Sequence, residues 1–243
     1  MRPDEAFTRL TALGFDDDDA RTLFEHFDDS ERRGKAGHGY SRIEWLETLE
    51  LDPGAKPRRL DAAPGFERWN GNGALGYLTL AAICGSLVEE PPRPARVVVA
   101  ERCFPTGALG YWVRQLAQAG QVALLTATSP PRLTHPEGGP PAVGTTPLAI
   151  GIPTRAGAPI VSDVSMGKVT YGDVLRGAAV AEDLVPFGGE QAYKAFALAL
   201  GLQLLVEVNV GADYGAFLVA LDPAFGPSDV RERLPGRRLP GDR

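Results

Sequence analysis

The chain has 243 residues, of which 44% are hydrophobic and 23% are charged, so it can bury a sizeable core as one large or two interleaved domains. Its formal net charge of −6 argues against a nucleic-acid surface, and the N-terminus shows no secretory signal. With only two cysteines and three histidines, a disulfide framework or a metal site is not expected. Because no secretory signal is visible, we expect a cytoplasmic protein. No apolar run reaches the ~20 residues of a membrane span.

Helices dominate the first fifty residues. Apolar residues recur at helical spacing over residues 5–13 and 17–30, and the acidic run that starts at Asp16 caps the second helix. Ser41 and Glu44 predict a capping box, with a helix that begins at Arg42 and continues through Leu49. We expect residues 1–50 to pack as a helical segment on an α/β core formed by residues 51–243.

A glycine-rich turn follows in the next segment. A Pro/Lys/Arg-rich loop at 55–64 precedes an edge strand at 66–69, and residues 71–76 then match the pattern G-x-G-x-x-G before a helix at 74–88. The preceding strand is a poor buried parallel strand, and no acidic residue follows at the distance of a dinucleotide fingerprint. We interpret the glycines as a tight turn with close helix packing.

The remaining elements predict an α/β fold with a mixed sheet. Strands at 96–100 and 122–126 enclose a helix at 107–119, which makes one βαβ unit, and strands at 148–152, 160–164 and 216–221 follow later. The apolar helix at 190–208 carries Ala and Leu on nearly all faces, which indicates full burial and favours a subunit interface. The Arg/Pro-rich end beyond Pro235 is expected to be exposed.

His38 and Arg42 form the first candidate site. His38 lies in the loop before the predicted helix, whose free N–H groups would face an incoming anion, and the guanidinium of Arg42 is suited to a carboxylate. The pair predicts a site for an organic acid beside a titratable group. One His beside one Arg also occurs by chance, so this pair alone does not decide the function.

Seven short motifs occur in order along the chain. They are HGYSR at 38–42, GALGYW at 107–112, TATSP at 126–130, GTTPLA at 144–149, DVS at 163–165, PFGG at 186–189 and ALDP at 220–223. Together they resemble the malate/L-lactate dehydrogenase family that lacks a Rossmann domain, a family that includes sulfolactate and ureidoglycolate dehydrogenases and cyclic imino-acid reductases. The chain resembles a shortened and divergent member.

The resemblance implies a non-Rossmann fold of interleaved segments, a homodimer with active sites near the subunit boundary, and NADH or NADPH in an extended groove. The substrate would be a small 2-oxo acid, a 2-hydroxy acid or a cyclic imino acid. By position, His38 is the proton donor or its orienting partner, and Arg42 is the carboxylate clamp, with Tyr40 and Ser41 beside it. Asp163 orients His38 or exchanges a proton, although an Asp at a strand end also caps turns. The implied cofactor contacts are Thr126, Ser129, Gly144, Thr145, Thr146, Ser165, Gly188 and Gly189.

Several positions depart from the family pattern. Pro105 stands where the family has a His, and Glu190 and Gln191 replace a His and a Lys after the paired glycines. Lys194, one helical turn onward, either restores the missing cation or faces solvent. The segment between Asp163 and residue 187 is also shorter than in typical members.

The missing acid favours a cyclic imine, which arrives already protonated, over a ketone. Three functions stay open. The first is an NAD(P)H-dependent reductase, with a role in a specialised biosynthetic pathway. The second is a cofactor-independent enzyme that acts on a carboxylated intermediate. The third is a catalytically silent partner subunit.

Overall fold

A computed structural model describes residues 1–211 and 213–242. The fold is α/β, with a seven-stranded mixed sheet and a separate two-stranded hairpin. The helices are α1 (Pro3–Ala12), α2 (Asp17–Arg32), α3 (Ser41–Leu46), α4 (Gly76–Glu89), α5 (Leu109–Gln118), α6 (Tyr171–Leu175), α7 (Ala192–Val210) and α8 (Val230–Arg233). The strands are β1 (Arg58–Ala63), β2 (Phe66–Asn70), β3 (Ala95–Glu101), β4 (Val122–Ala127), β5 (Leu133–Thr134), β6 (Pro141–Val143), β7 (Leu148–Ile152), β8 (Ile160–Val164) and β9 (Gly215–Leu221).

The strand order in the large sheet is β1-β2-β3-β9-β4-β7-β8. The last strand, β9, pairs antiparallel with both β3 and β4. The predicted unit β3–α5–β4 therefore exists, but its two strands do not touch, because β9 lies between them. The adjacent parallel pair is β2 and β3, joined through α4, which the prediction of an edge strand at 66–69 missed.

Residues 58–63, expected to be loop, form the edge strand β1. All six of its residues are exposed, so the strand lacks the alternation of buried and exposed residues that predicts a strand. Its backbone is held in the sheet by pairing with β2. The glycine-rich turn after β2 serves close packing, as interpreted. A β-carbon at Gly71 would overlap the carbonyl oxygen of Arg102.

The main core lies between the sheet and a layer made by α2, α4 and α5. Trp112, Tyr77 and Phe27 are its largest fully buried side chains. Helix α7 covers the other face through contacts with β3, β4 and β9. The N-terminal helices join the main core through contacts of α2 with α4 and α5. The expected N-cap of α2 is present, since the side chain of Asp16 accepts a hydrogen bond from the N–H of Asp19 at 2.9 Å.

Two expectations about burial were wrong. Helix α7 is not fully buried: Leu198, Leu204 and Val208 are 52%, 47% and 78% exposed. The chain end is not fully exposed: Leu239 is buried, and the carbonyl oxygen of Pro240 accepts a hydrogen bond from the N–H of Val161 in β8 at 3.1 Å.

Candidate active site

A cavity of about 340 Å³ opens between residues 34–38, the start of α5, the ends of β4 and β8, and α6. We call it the Arg42 cavity. Its charged lining consists of Lys35, Arg42, Arg132, Arg176, Asp163 and Asp173. Cations outnumber carboxylates in this lining, so the cavity attracts anions.

The segment that carries His38 is a tight turn held at both ends. After α2 ends, the N–H of Lys35 donates to the carbonyl of Ser30, and the N–H of His38 donates to the carbonyl of Lys35, each at 2.8 Å. Helix α6 packs directly on this turn, because a β-carbon at Gly172 would overlap the carbonyl oxygen of Gly37. Two neighbouring elements therefore fix the backbone of the turn.

The predicted capping box is absent. Helix α3 begins at Ser41, whose hydroxyl donates to the carbonyl of Ala36 at 2.9 Å, and it ends at Leu46 rather than Leu49. A helix of six residues has little macrodipole and offers no N-terminal anion site of its own. An anion at this end of the cavity therefore depends on side chains such as Arg42.

Arg42 is the side chain best placed for that purpose. It is 9% exposed, its Nε has no hydrogen-bond partner, and no carboxylate of the described residues lies within ion-pair distance. Its guanidinium carbon lies 5.0 Å from the ring centroid of Trp45, which holds the group over an aromatic face. A buried cation without a counter-ion is costly, so this site favours the binding of an anion.

His38 lines the same cavity and is partly buried. Its Nδ1 is a buried atom without a partner, and no side chain of the described residues hydrogen-bonds the ring. Burial, followed by the charge of Arg42, lowers the pKa of His38 to about 4. The imidazole is therefore neutral at pH 7 in the free protein.

Asp163 also lines the cavity, but the structure does not pair it with His38. Its Oδ2 accepts a hydrogen bond from Lys35 Nζ at 2.5 Å. Gly110 gives this carboxylate its room, since a β-carbon there would lie 2.8 Å from Oδ2. The position of the Asp163 carboxylate therefore explains why the second glycine of the GALGYW motif has no side chain.

The first glycine of that motif packs against His26. Gly107 has a φ of 69°, and a β-carbon at this position would overlap the imidazole. His26 is fully buried, and its Nε2 accepts a hydrogen bond from the N–H of Ala108 at 3.1 Å. His26 positions the backbone that forms one wall of the cavity.

Of the residues expected to contact the cofactor, Ser129, Thr145 and Ser165 line the cavity. The hydroxyl oxygen of Ser129 is buried without a partner, whereas the hydroxyl of Ser165 lies 3.4 Å from the carbonyl of Thr145.

The other expected residues serve the surrounding structure. Thr126 donates to the carbonyl of Pro147 at 2.8 Å, the N–H of Gly144 donates to Gln203 Oε1 at 2.7 Å, and Thr146 donates to the carbonyl of Gly144 at 3.2 Å. The hydroxyl of Tyr40 donates to Asp28 at 2.6 Å. These residues and Ser41 are not among those that line the cavity.

Gly188, Gly189 and Lys194 lie at the start of α7, outside the lining of the cavity. The ammonium of Lys194 donates to Gln191 Oε1 at 2.5 Å. The cation that this chain places near Asp163 is Lys35 instead.

Sequence reasoning missed Lys35, Trp45, Arg132, Tyr171, Asp173 and Arg176, which all line the cavity. Lys35 was detectable, because it precedes His38 by three residues, and side chains three apart share a face of a 3-10 turn. The guanidinium of Arg132 stacks on Tyr171, 3.2 Å from its ring centroid, a contact between distant segments that no local pattern reveals.

The chain is similar to known proteins over most of its length. The family model of malate/L-lactate dehydrogenases matches residues 4–183. A Δ1-pyrroline-2-carboxylate/Δ1-piperideine-2-carboxylate reductase of Pseudomonas syringae pv. tomato is 26% identical, with 92% of this chain and 81% of the relative covered. A (2R)-3-sulfolactate dehydrogenase (NADP(+)) of Chromohalobacter salexigens is also 26% identical, with 86% and 71% covered. A Pseudomonas aeruginosa reductase with the same name as the first is 31% identical over 59% of this chain, a match that spans 45% of that protein.

Solved structures share the fold. The Δ1-piperideine-2-carboxylate reductase of P. syringae superposes with a TM-score of 0.82 at 22% identity, covering 99% of this chain and 89% of the other. Malate dehydrogenase of Entamoeba histolytica gives 0.81 at 18% identity, covering 98% and 84%. The family match extends over well more than half of the residues, and the fold agrees along almost the whole length. The chain belongs to the malate/L-lactate dehydrogenase family.

Proposed function

We propose that the protein is an NAD(P)H-dependent reductase of a small 2-oxo acid or cyclic imino acid. The observation that carries the proposal is Arg42, a nine-tenths buried guanidinium without a counter-ion that faces the same cavity as His38 and Asp163. The printed names of the relatives, which include reductases of cyclic imino acids and of 2,3-diketo-L-gulonate, support this class of substrate.

In this proposal Arg42 binds the substrate carboxylate through charge-assisted hydrogen bonds. The imidazole of His38 then lies beside the second carbon of the substrate, where it donates an N–H to the carbonyl oxygen of a 2-oxo acid or accepts the N–H of a protonated cyclic imine. Asp163, which accepts a hydrogen bond from Lys35, lies at the cavity wall. A cavity of about 340 Å³ fits a small acid and the reactive end of a cofactor.

The residues present fit a nicotinamide cofactor at one side of the cavity. Ser129 offers a buried hydroxyl that has no partner in the protein, and Thr145 and Ser165 lie in the same lining. When bound, a reduced nicotinamide supplies the hydride, and the protein supplies orientation and the proton.

We further propose that the protein is a homodimer that uses α7. The helix presents apolar side chains to solvent along its length, and such a patch on a folded chain marks an interaction surface. The segment Gly189–Val210 also has the length and apolar composition of a membrane span. Its packing on β3, β4 and β9 and the family membership favour a second copy over a bilayer. A cytoplasmic location stays a prediction.

Calorimetry with NADH and NADPH, followed by turnover assays with pyruvate and Δ1-piperideine-2-carboxylate, tests the proposed function. We expect Arg42→Ala to weaken carboxylate binding by ~1.5–3 kcal/mol. Arg58→Ala, a change on the exposed strand β1, is the matched control and should leave binding unaltered.

If neither nucleotide binds at millimolar concentration, the proposal is wrong. Turnover of a carboxylated substrate by nucleotide-free protein would instead indicate cofactor-independent chemistry. If activity requires a second, co-purifying protein and His38→Ala does not change it, the chain is a silent partner subunit.

A further inference from the structure

The ion pair between Lys35 and Asp163 stands between two cavities. Both residues, together with Gly34, line the Arg42 cavity and also a second cavity of about 430 Å³. We call the second one the tail cavity, because residues 238–242 of the chain end form one of its walls. The pair is therefore in reach of the substrate site on one side and of a separate opening on the other.

The tail cavity has several charged side chains among its apolar lining residues. Its lining includes Arg33, Arg114 and Arg238. Arg33 fixes the chain end by donating from Nη1 to the carbonyl of Gly241 at 3.2 Å. The cavity is open to solvent on one side, so water reaches these charged groups.

Reduction of a ketone consumes a proton, and the Arg42 cavity has few groups that can supply one. The family's second acid is replaced by Pro105, which lines the cavity without an acidic proton. His38 is partly buried, and no side chain of the described residues links its ring to Asp163 or to the surface. The side chain of Lys35 is 38% exposed and that of Asp163 is 12% exposed, so this pair does connect the interior with solvent.

We propose that Lys35 delivers the proton to the reduced substrate and regains it from water in the tail cavity. This inference rests on the proposed function. The carbonyl carbon receives a hydride, with two electrons, from the reduced nicotinamide, and the C=O π bond breaks toward oxygen. That oxygen takes a proton from the Lys35 ammonium, so one O–H bond forms and one N–H bond breaks. The Lys35 amine then binds a proton from solvent, and Asp163 stays ionised throughout.

The surrounding charge supports this step. Arg42 and Arg176 face the same cavity as Lys35, so positive charge surrounds the developing alkoxide and stabilises it. Asp163 orients the ammonium at 2.5 Å, and Gly110 keeps the carboxylate in place by leaving room for it.

Comparison of two substrates distinguishes proton delivery by Lys35 from a structural role of this residue. In Lys35→Met, kcat for pyruvate reduction should fall ~10²–10⁴-fold, the range for a positioned acid. Reduction of Δ1-piperideine-2-carboxylate, which enters as the protonated imine, should fall by less than about tenfold. Lys35→Arg restores an ion pair with Asp163 but not a transferable proton, so it should keep the ketone defect.

Lys168→Met is the matched control, because Lys168 forms an ion pair with Asp183 at 2.7 Å outside both cavities. It should leave both reactions unchanged. Equal losses for the two substrates in Lys35→Met, or full recovery in Lys35→Arg, would overturn the inference while leaving the proposed function intact. If the wild-type protein reduces neither substrate, both the inference about Lys35 and the proposed function are wrong.

A second measurement does not depend on turnover. Acetylation of the Lys35 amine by acetic anhydride, read by peptide mass spectrometry, should continue when saturating oxalate fills the Arg42 cavity, since the reagent enters through the tail cavity. The amine of Lys168 provides the reference rate in the same sample. Complete protection of Lys35 by oxalate would show that the amine is reached only through the Arg42 cavity, and the proposed path would be wrong.

Discussion

Acidification should destabilise the protein through His26. This imidazole is fully buried beside Tyr77 and Trp112, and its Nε2 accepts the N–H of Ala108, a bond that requires the neutral ring. Burial, together with the positive charges nearby, lowers the pKa of His26 from 6.5 to about 3. The folded protein therefore resists a proton that the unfolded chain binds readily.

The sign and size of the effect follow from proton linkage. Between pH 6.5 and about 3 the unfolded chain binds one more proton at this position, so the free energy of unfolding rises with pH across that window. The contribution is complete above pH 6.5 and is lost at ~1.4 kcal/mol per pH unit below it. From pH 7 to pH 5 the loss is about 2 kcal/mol.

Urea unfolding of the wild type and of His26→Gln, followed by tryptophan fluorescence at pH 7 and pH 5, measures this loss. The variant keeps an acceptor for Ala108 but does not titrate, so its stability should fall by ~2 kcal/mol less than that of the wild type over the same interval. Most carboxylates remain ionised at pH 5, and comparison of the two proteins cancels their effect. A difference below about 0.5 kcal/mol would refute the assignment of a low pKa to His26.

Four further substitutions test the anion site, the room left for Asp163 and the proposed interface. Arg42→Met should raise the free energy of unfolding by ~1 kcal/mol in urea titrations, because it removes an unpaired buried charge, while carboxylate binding is lost in calorimetry. Gly110→Ala should lower kcat/KM at least tenfold, because the added methyl group displaces Asp163. Gly85→Ala is the matched control, since a β-carbon there meets nothing within 4 Å. It should raise the free energy of unfolding by up to ~1 kcal/mol through helix propensity and keep full activity. Val208→Glu on the exposed side of α7 should shift the mass in light scattering from dimer to monomer; an unchanged mass would contradict the proposed interface.

The sequence predicts correctly those features that depend only on contacts between residues close together in the chain. The N-cap at Asp16 needs only its own turn, and it was predicted correctly. The position of β9 between β3 and β4 depends on pairs such as Ala95 with Leu221 and Ala127 with Ala216, which lie far apart in the sequence, and no periodicity indicates it. Helix α7 was predicted to be buried because its composition is apolar on every side, yet composition does not say whether the covering surface belongs to the same chain.

In the candidate site, too, residues in one short motif were predicted, whereas contacts between distant segments were not. His38 and Arg42 were identified, because they lie in one short motif, and the structure places both in one cavity. Lys194 was assigned from helical spacing alone, but the start of α7 lies away from the cavity. Lys35 occupies a turn whose position is set by α6, so its pairing with Asp163 becomes visible only when residues 35, 163 and 172 are brought together.

Substrate binding should be coupled to proton uptake at His38. Its pKa of about 4 results from burial and then from the charge of Arg42. A carboxylate bound to Arg42 offsets the second of these causes, so the pKa of His38 rises on binding, and the complex takes up a fraction of a proton that grows as the pH falls from 8 to 5.5.

Calorimetric titration of oxalate in two buffers with different ionisation enthalpies measures that fraction directly. His38→Gln should abolish the uptake and remove the pH dependence of oxalate affinity below pH 6.5, while Arg42 still binds the anion. Proton uptake that persists in His38→Gln would assign it to another group and would remove the electrostatic link between the clamp and the imidazole. The unpaired charge of Arg42 that costs stability in the free protein thus also contributes to the low pKa of His38, and a bound carboxylate weakens that contribution.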